Sequence, residues 1–183
     1  MIPNDNPFHD PSGNTLEEFF GLGLRSPHRA TIDPFTGEIW IGDVGEAGRE
    51  EITVIKKGGN AQWPYMEGKS LGPEEKPGNL IGEDNPPVYD YEREVGNSVI
   101  GGFVYRGELW NQKLEGLYIY GDHGTRNVWS YDPSTSATVL LCNIPEFGEG
   151  DKSGISSFAT DDLGNVFILK LYGQNKDGGV IYK

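Results

Sequence analysis

Gly37-Glu38-Ile39-Trp40-Ile41, Gly116-Leu117-Tyr118-Ile119-Tyr120 and Gly164-Asn165-Val166-Phe167-Ile168 share one form: a glycine, a variable residue, then three large apolar or aromatic residues. Each is followed by a second β-rich run, over 51–55, 127–131 and 179–182. Recurring strand pairs marked by glycine and aromatics are how the blades of a β-propeller read in sequence, with a two-sheet sandwich as the other architecture open at this point. Further runs at 87–91, 99–107, 138–143 and 155–160, separated by turn residues, complete an all-β pattern. At about 40–50 residues per blade, the chain holds about three antiparallel four-stranded blades. Three blades leave two open sheet faces, where Trp40, Trp129 and Phe167 are expected. The chain is therefore expected to meet a missing N-terminal half, or a second copy of itself, to close the ring.

Composition agrees with a folded, turn-rich domain. The 183 residues include 27 glycines and 12 prolines, with four Trp, nine Tyr and eight Phe, too aromatic for disorder. Fifteen Lys and Arg against 28 Asp and Glu give a net charge of −13, which repels nucleic acid and anionic membrane surfaces. No apolar run reaches the roughly 20 residues of a membrane helix. The opening residues have neither the charged nor the apolar region of a signal peptide. The single cysteine, Cys142, follows Val139-Leu140-Leu141 and reads as buried strand filler. One short helix is expected over 14–20, where Asn14 can cap and acids fill the first turn. The polar segment 68–87 reads as a long inserted loop within one partial propeller domain over 1–183, and long loops on rigid scaffolds often line a binding face.

Three stretches in register resemble the soluble quinoprotein glucose/sorbosone dehydrogenase family. They are Ile2-Pro3-Asn4-Asp5-Asn6-Pro7-Phe8; Gly23-Leu24-Arg25-Ser26-Pro27-His28-Arg29 running on through Gly42-Asp43-Val44-Gly45, Lys57-Gly58-Gly59-Asn60 and Trp63-Pro64-Tyr65; and Gly101-Gly102-Phe103-Val104-Tyr105-Arg106-Gly107 with Tyr120-Gly121-Asp122. The Gly-Asp-Val-Gly and Trp-Pro-Tyr forms are most similar to the branch that includes Hedgehog-interacting-protein-like sequences. The resemblance implies the C-terminal half of a six-bladed propeller, extracellular or periplasmic. It also implies pyrroloquinoline quinone (PQQ) bound over calcium, and oxidation of a sugar at its anomeric carbon by a histidine base that lies outside this chain.

Carried over residue by residue, the resemblance implies cofactor contacts at Arg25, Ser26, Val44, Glu50 and Arg126. It places calcium on the carbonyls of Gly45 and Glu46 with Asp43 nearby, oxygen ligands of the kind a hard cation takes. Departures are visible. Ser26 stands for asparagine and Glu46 for proline. The basic clamp for the PQQ carboxylates is reduced to Arg126 and Lys152. Trp63, Tyr65 and His123 are the candidates for sugar contact, whereas His9 and His28 read as structural. Arg106 reads as an ion pair between blades. The second reading is a non-catalytic propeller that binds a protein or a glycan through its loops.

Overall fold

A computed structural model describes residues 5–8, 17–146, 153–171 and 179–183. The repeat has a backbone cause. Gly37, Gly116 and Gly164 all hold positive φ, at 75°, 78° and 74°, where a Cβ would be strained. Each ends the turn that feeds the second strand of a sheet.

The first sheet starts with β1 (Pro27–Ile32), β2 (Ile39–Asp43) and β3 (Arg49–Ile55). Four two-residue strands follow, β4 (Gly59–Asn60), β5 (Met66–Glu67), β6 (Ser70–Leu71) and β7 (Glu83–Asp84). Then β8 (Tyr89–Glu92) returns to pair with β3, giving the order β1-β2-β3-β8. The segment 68–87 is thus an excursion between the third and fourth strands of one sheet. It is anchored where β7 pairs in parallel with β4.

The second sheet is a meander of β9 (Val99–Val104), β10 (Tyr118–Asp122), β11 (Asn127–Asp132) and β12 (Ala137–Asn143). A one-turn helix, α1 (Asn111–Leu114), sits between β9 and β10. The third sheet holds β13 (Ile155–Thr160), β14 (Val166–Lys170) and β15 (Val180–Tyr182) among the described residues. All pairings within these three sheets are antiparallel. The first strands stand side by side, β9 packing on β1 and β2 and on β13.

Apolar faces meet between neighbouring sheets. Trp40, Ile52, Tyr91, Tyr118, Tyr120, Trp129 and Tyr131 form the core between the first two sheets. Trp40 stacks on Tyr118 at 4.7 Å and Tyr120 on Trp129 at 5.5 Å between ring centroids. Ile100, Ile119, Val128, Ile155 and Phe158 form the core between the second and third. Trp40 and Trp129 therefore do not lie on open faces: they are 2 % and 7 % exposed inside the protein. Phe167 is half-buried, with the Lys183 ammonium 5.0 Å from its ring.

Arg106 does join two sheets. It grips the buried Asp33 with Nε at 3.1 Å and Nη2 at 2.7 Å, linking the turn after β1 to the segment after β9.

Other expectations change. β1 has no apolar alternation, begins with proline, carries a bulge and is mostly exposed, so its pairing with β2 shows only in the fold. Cys142 is exposed on the outermost strand β12 rather than buried, because among the described residues no layer covers that edge of the sheet. Of the helix expected over 14–20, residues 14–16 lie outside the described residues, and 17–20 form a turn and bend. His9 and Lys152 also lie outside them. Among the described residues no helix is long and apolar enough to cross a membrane.

Candidate functional site

Strand register brings most of the singled-out residues to one end of the sheets, opposite the repeat glycines. Pro27 pairs with Asp43, Arg49 with Glu92 and Val99 with Asp122. The segment entering β1 and the turns β2–β3, β8–β9 and β10–β11 therefore gather there.

Asp43, at the end of β2, holds the entry to β1. Its two oxygens accept the backbone N–H groups of Arg25 at 2.8 Å and Ser26 at 2.6 Å. Burial pushes its carboxyl above the ordinary range, opposed by those two donors and by the Arg25 charge. Ser26 returns a carbonyl to the Val44 N–H at 3.1 Å. With its backbone fixed this way, Arg25 extends over the Trp63 ring, 5.2 Å from the centroid. Its Nη1 donates to the Val44 carbonyl at 3.2 Å, and Nη2 lies 3.9 Å from Glu46 Oε1. Its Nε is buried without a hydrogen-bond partner.

The β2–β3 turn is organised by a residue the sequence pattern did not single out. One oxygen of Glu67 accepts four successive backbone N–H groups, from Glu46, Ala47, Gly48 and Arg49, at 2.6, 2.9, 3.0 and 3.2 Å. Burial alone would raise the Glu67 carboxyl. The four donors outweigh it and hold the group below its ordinary value. The turn is tight enough to require Gly45, since a Cβ there would stand 1.7 Å from the Arg49 carbonyl oxygen.

A second unforeseen residue, Arg93, enters from the β8–β9 connection. Its Nη2 donates to the Gly45 carbonyl at 2.9 Å and its Nη1 to the Asn97 carbonyl at 2.5 Å. Nη1 also lies 2.9 Å from Oε1 of the fully buried Glu50, as an ion pair rather than an aligned hydrogen bond. Glu50 Oε2 accepts the Val99 N–H at 2.8 Å, tying the first sheet to the second. Burial raises Glu50 to about 7, against the opposing Val99 donor and Arg93 charge. No local signal marks either residue. Glu67 lies 18 to 21 positions from its donors, and Arg93 sits in Glu92-Arg93-Glu94, which reads as a solvated charge run.

His123 and Arg126 occupy the β10–β11 turn. His123 Nδ1 is 2.9 Å from the Ile155 carbonyl. A carbonyl only accepts, so Nδ1 is the donor and Nε2 is the ring nitrogen left for a further partner. Arg126 pairs with Glu146, while its Nε is buried without a hydrogen bond. Trp63 and Tyr65 flank Pro64 in one turn; Tyr65 is half-buried, and its N–H donates to the Gln62 carbonyl at 2.7 Å. Arg25, Ser26, Asp43, Val44, Gly45, Glu46 and Trp63 thus form one contact cluster, which Arg93 extends to Glu50. His123 and Arg126 stand on the next sheet.

The fit to the implied groups is uneven. For a quinone, Arg25 offers a pre-oriented guanidinium with an unused buried N–H. For calcium, the Gly45 carbonyl and the Glu50 carboxylate already face the Arg93 guanidinium. Among the described residues no group of three or more His, Cys, Asp or Glu side chains could hold a metal ion.

These features define an all-β chain of antiparallel sheets, two of them four-stranded, with an arginine–carboxylate cluster at one end. It belongs to the glucose/sorbosone dehydrogenase family, whose model matches residues 1–139. The HIPL1 protein of Arabidopsis thaliana is 37 % identical over 142 residues, covering 70 % of this chain and 20 % of that protein. The apo-form soluble aldose sugar dehydrogenase of Escherichia coli superposes with a TM-score of 0.71 at 23 % identity, over 98 % of this chain and 50 % of its own. The PQQ-bound aldose sugar dehydrogenase of Streptomyces coelicolor does so at 0.64 and 17 %, over 92 % of this chain and 42 % of its own. At these identities the two structures show a shared fold. The chain spans about a fifth of the length of HIPL1 and half of the E. coli enzyme.

Proposed function

We propose that this chain forms the C-terminal half of a six-bladed β-propeller in a PQQ-dependent, sugar-oxidising protein that works outside the cytoplasm. When complete, it oxidises an aldose at the anomeric carbon. The observation that carries the reading is Arg25. Its guanidinium is pinned over Trp63 by the Val44 carbonyl, with one buried N–H unspent. A guanidinium keeps its charge at all working pH values and presents donors to quinone and carboxylate oxygens. PQQ, when bound, supplies the quinone that accepts the hydride. In this chain Arg25 orients it, Ser26 and Val44 shape its edge, and Trp63 with Tyr65 gives the sugar an aromatic floor. His123 Nε2 accepts a sugar hydroxyl, and Arg126 reaches a cofactor carboxylate once it leaves Glu146. The base comes from the half that completes the ring, and that half, or a second copy, covers the exposed β1 and the exposed Ile181 of β15. Alone, the chain is expected to reduce no dye with glucose and PQQ.

Equilibrium dialysis of PQQ against the chain tests this. Arg25→Ala is expected to weaken binding about tenfold to hundredfold, the loss of one charge-assisted contact. No PQQ binding by the folded wild-type chain, or equal binding by the variant, overturns the assignment. The second reading, a propeller that binds a protein or glycan without redox chemistry, is favoured by the engagement of Arg126 and Arg93 with carboxylates of the chain. Absence of PQQ binding would support it.

A further inference from the structure

The three partners of Arg93 come from three different segments. Gly45 belongs to the β2–β3 turn, Glu50 to β3 and Asn97 to the β8–β9 connection. Two of the contacts are carbonyl oxygens and the third is a carboxylate that is 0 % exposed. A fully buried carboxylate with two carbonyl oxygens converging on the same guanidinium favours a positive charge at that point. Oxygen sets of this kind suit a hard divalent ion as well as a guanidinium.

We infer that Arg93 is the resident cation of this end of the protein: it fills with a covalently attached charge the position a divalent ion would take between Gly45 and Glu50. Two consequences follow. The folded state needs no divalent ion to neutralise Glu50 and join the first sheet to the start of the second. Any ion entering between Gly45 and Glu50 must displace the guanidinium, so ion binding and Arg93 are mutually exclusive. Glu50 Oε1 strengthens the point, because it receives charge from Arg93 without an aligned hydrogen bond. It would be the free ligand once the guanidinium is gone. Asp43 is not a partner of Arg93; each of its oxygens accepts one backbone N–H group, from Arg25 and Ser26, at the entry to β1.

The test is calorimetric and thermal titration of the chain with calcium chloride after chelation, with no PQQ present, so that it is independent of the redox reading. Wild type is expected to show no saturable calcium binding up to millimolar ion and no shift of melting temperature. Arg93→Gln is expected to melt lower than wild type and to recover on adding calcium, with saturable binding at least tenfold tighter than wild type. Arg93→Lys, which keeps one charge, is expected to behave like wild type and serves if the glutamine variant does not fold. Saturable micromolar calcium binding by wild type overturns the inference. So does a folded Arg93→Gln chain that gains no calcium response, or an Arg93→Lys chain that requires calcium.

Discussion

Asp33→Ala is expected to lower stability by about 3–5 kcal/mol, the range for removing one partner of a buried ion pair. A denaturant titration reads it as a lower midpoint at unchanged slope. The Asp33 carboxylate is 1 % exposed and meets Arg106 through two parallel contacts. It also accepts the Phe35 N–H at 3.1 Å and the Thr36 hydroxyl at 2.9 Å, so it closes the turn that delivers Gly37 to β2. The Arg106 hydrogen bond is the main reason its carboxyl lies below the ordinary value, and Asp33 in turn is the main reason the guanidinium is held above its own. Alanine leaves the guanidinium with the surface-exposed Glu115 as its only carboxylate among the described residues, beside the Phe35 ring 4.8 Å away. Arg106→Met is expected to cost a similar amount by stranding Asp33. The double variant should lose less than the sum, because the two residues contact each other. Single losses below about 1 kcal/mol would mean that apolar packing, not this pair, joins the two sheets at that end.

The strands that carry the fold were legible wherever burial imposes a pattern. β2, β10 and β14 each follow a glycine whose positive φ is a backbone requirement, so the repeat survives divergence of the side chains. β1 was not legible. It sits at the edge of the first sheet, largely exposed, so nothing forces apolar residues on it. Trp40 and Trp129 lie between two sheets of this chain instead of on open faces, for a related reason. Sequence tells that an aromatic is buried, but not which neighbouring sheet buries it, and here that sheet lies within the chain.

At the site, residues matched by resemblance fell into place as one cluster, but their partners did not show. Arg25 is held by the Asp43 carboxylate, the Val44 carbonyl and the Trp63 ring, all of which lie in recognisable motifs. Glu67 and Arg93 act on backbone atoms, and a backbone amide or carbonyl leaves no trace of its partner in composition or spacing. The polar framework at this end of the protein is therefore built largely from side chain to main chain bonds, the class of contact a sequence reading sees least.

Glu67→Ala is expected to cost about 2–4 kcal/mol, because one charged carboxylate oxygen accepts four successive backbone N–H groups. Glu67→Gln retains a neutral acceptor and is expected to cost about half as much, since hydrogen bonds to a charged group are about twice as strong as neutral ones. The charge also predicts a pH dependence. The folded-state carboxyl lies below its ordinary value of 4.5, so the folded chain binds its proton less readily than the unfolded chain does. Its contribution is present in full above the unfolded value and is lost as the pH falls through the folded value. Stability measured from pH 6 down to pH 3 should therefore fall more steeply in wild type than in Glu67→Gln. Because Gly45 and the Arg49 carbonyl meet inside the same turn, loosening it should also displace the Gly45 carbonyl from Arg93. An acid limb identical in wild type and the glutamine variant would show that the four amides are satisfied without the Glu67 charge.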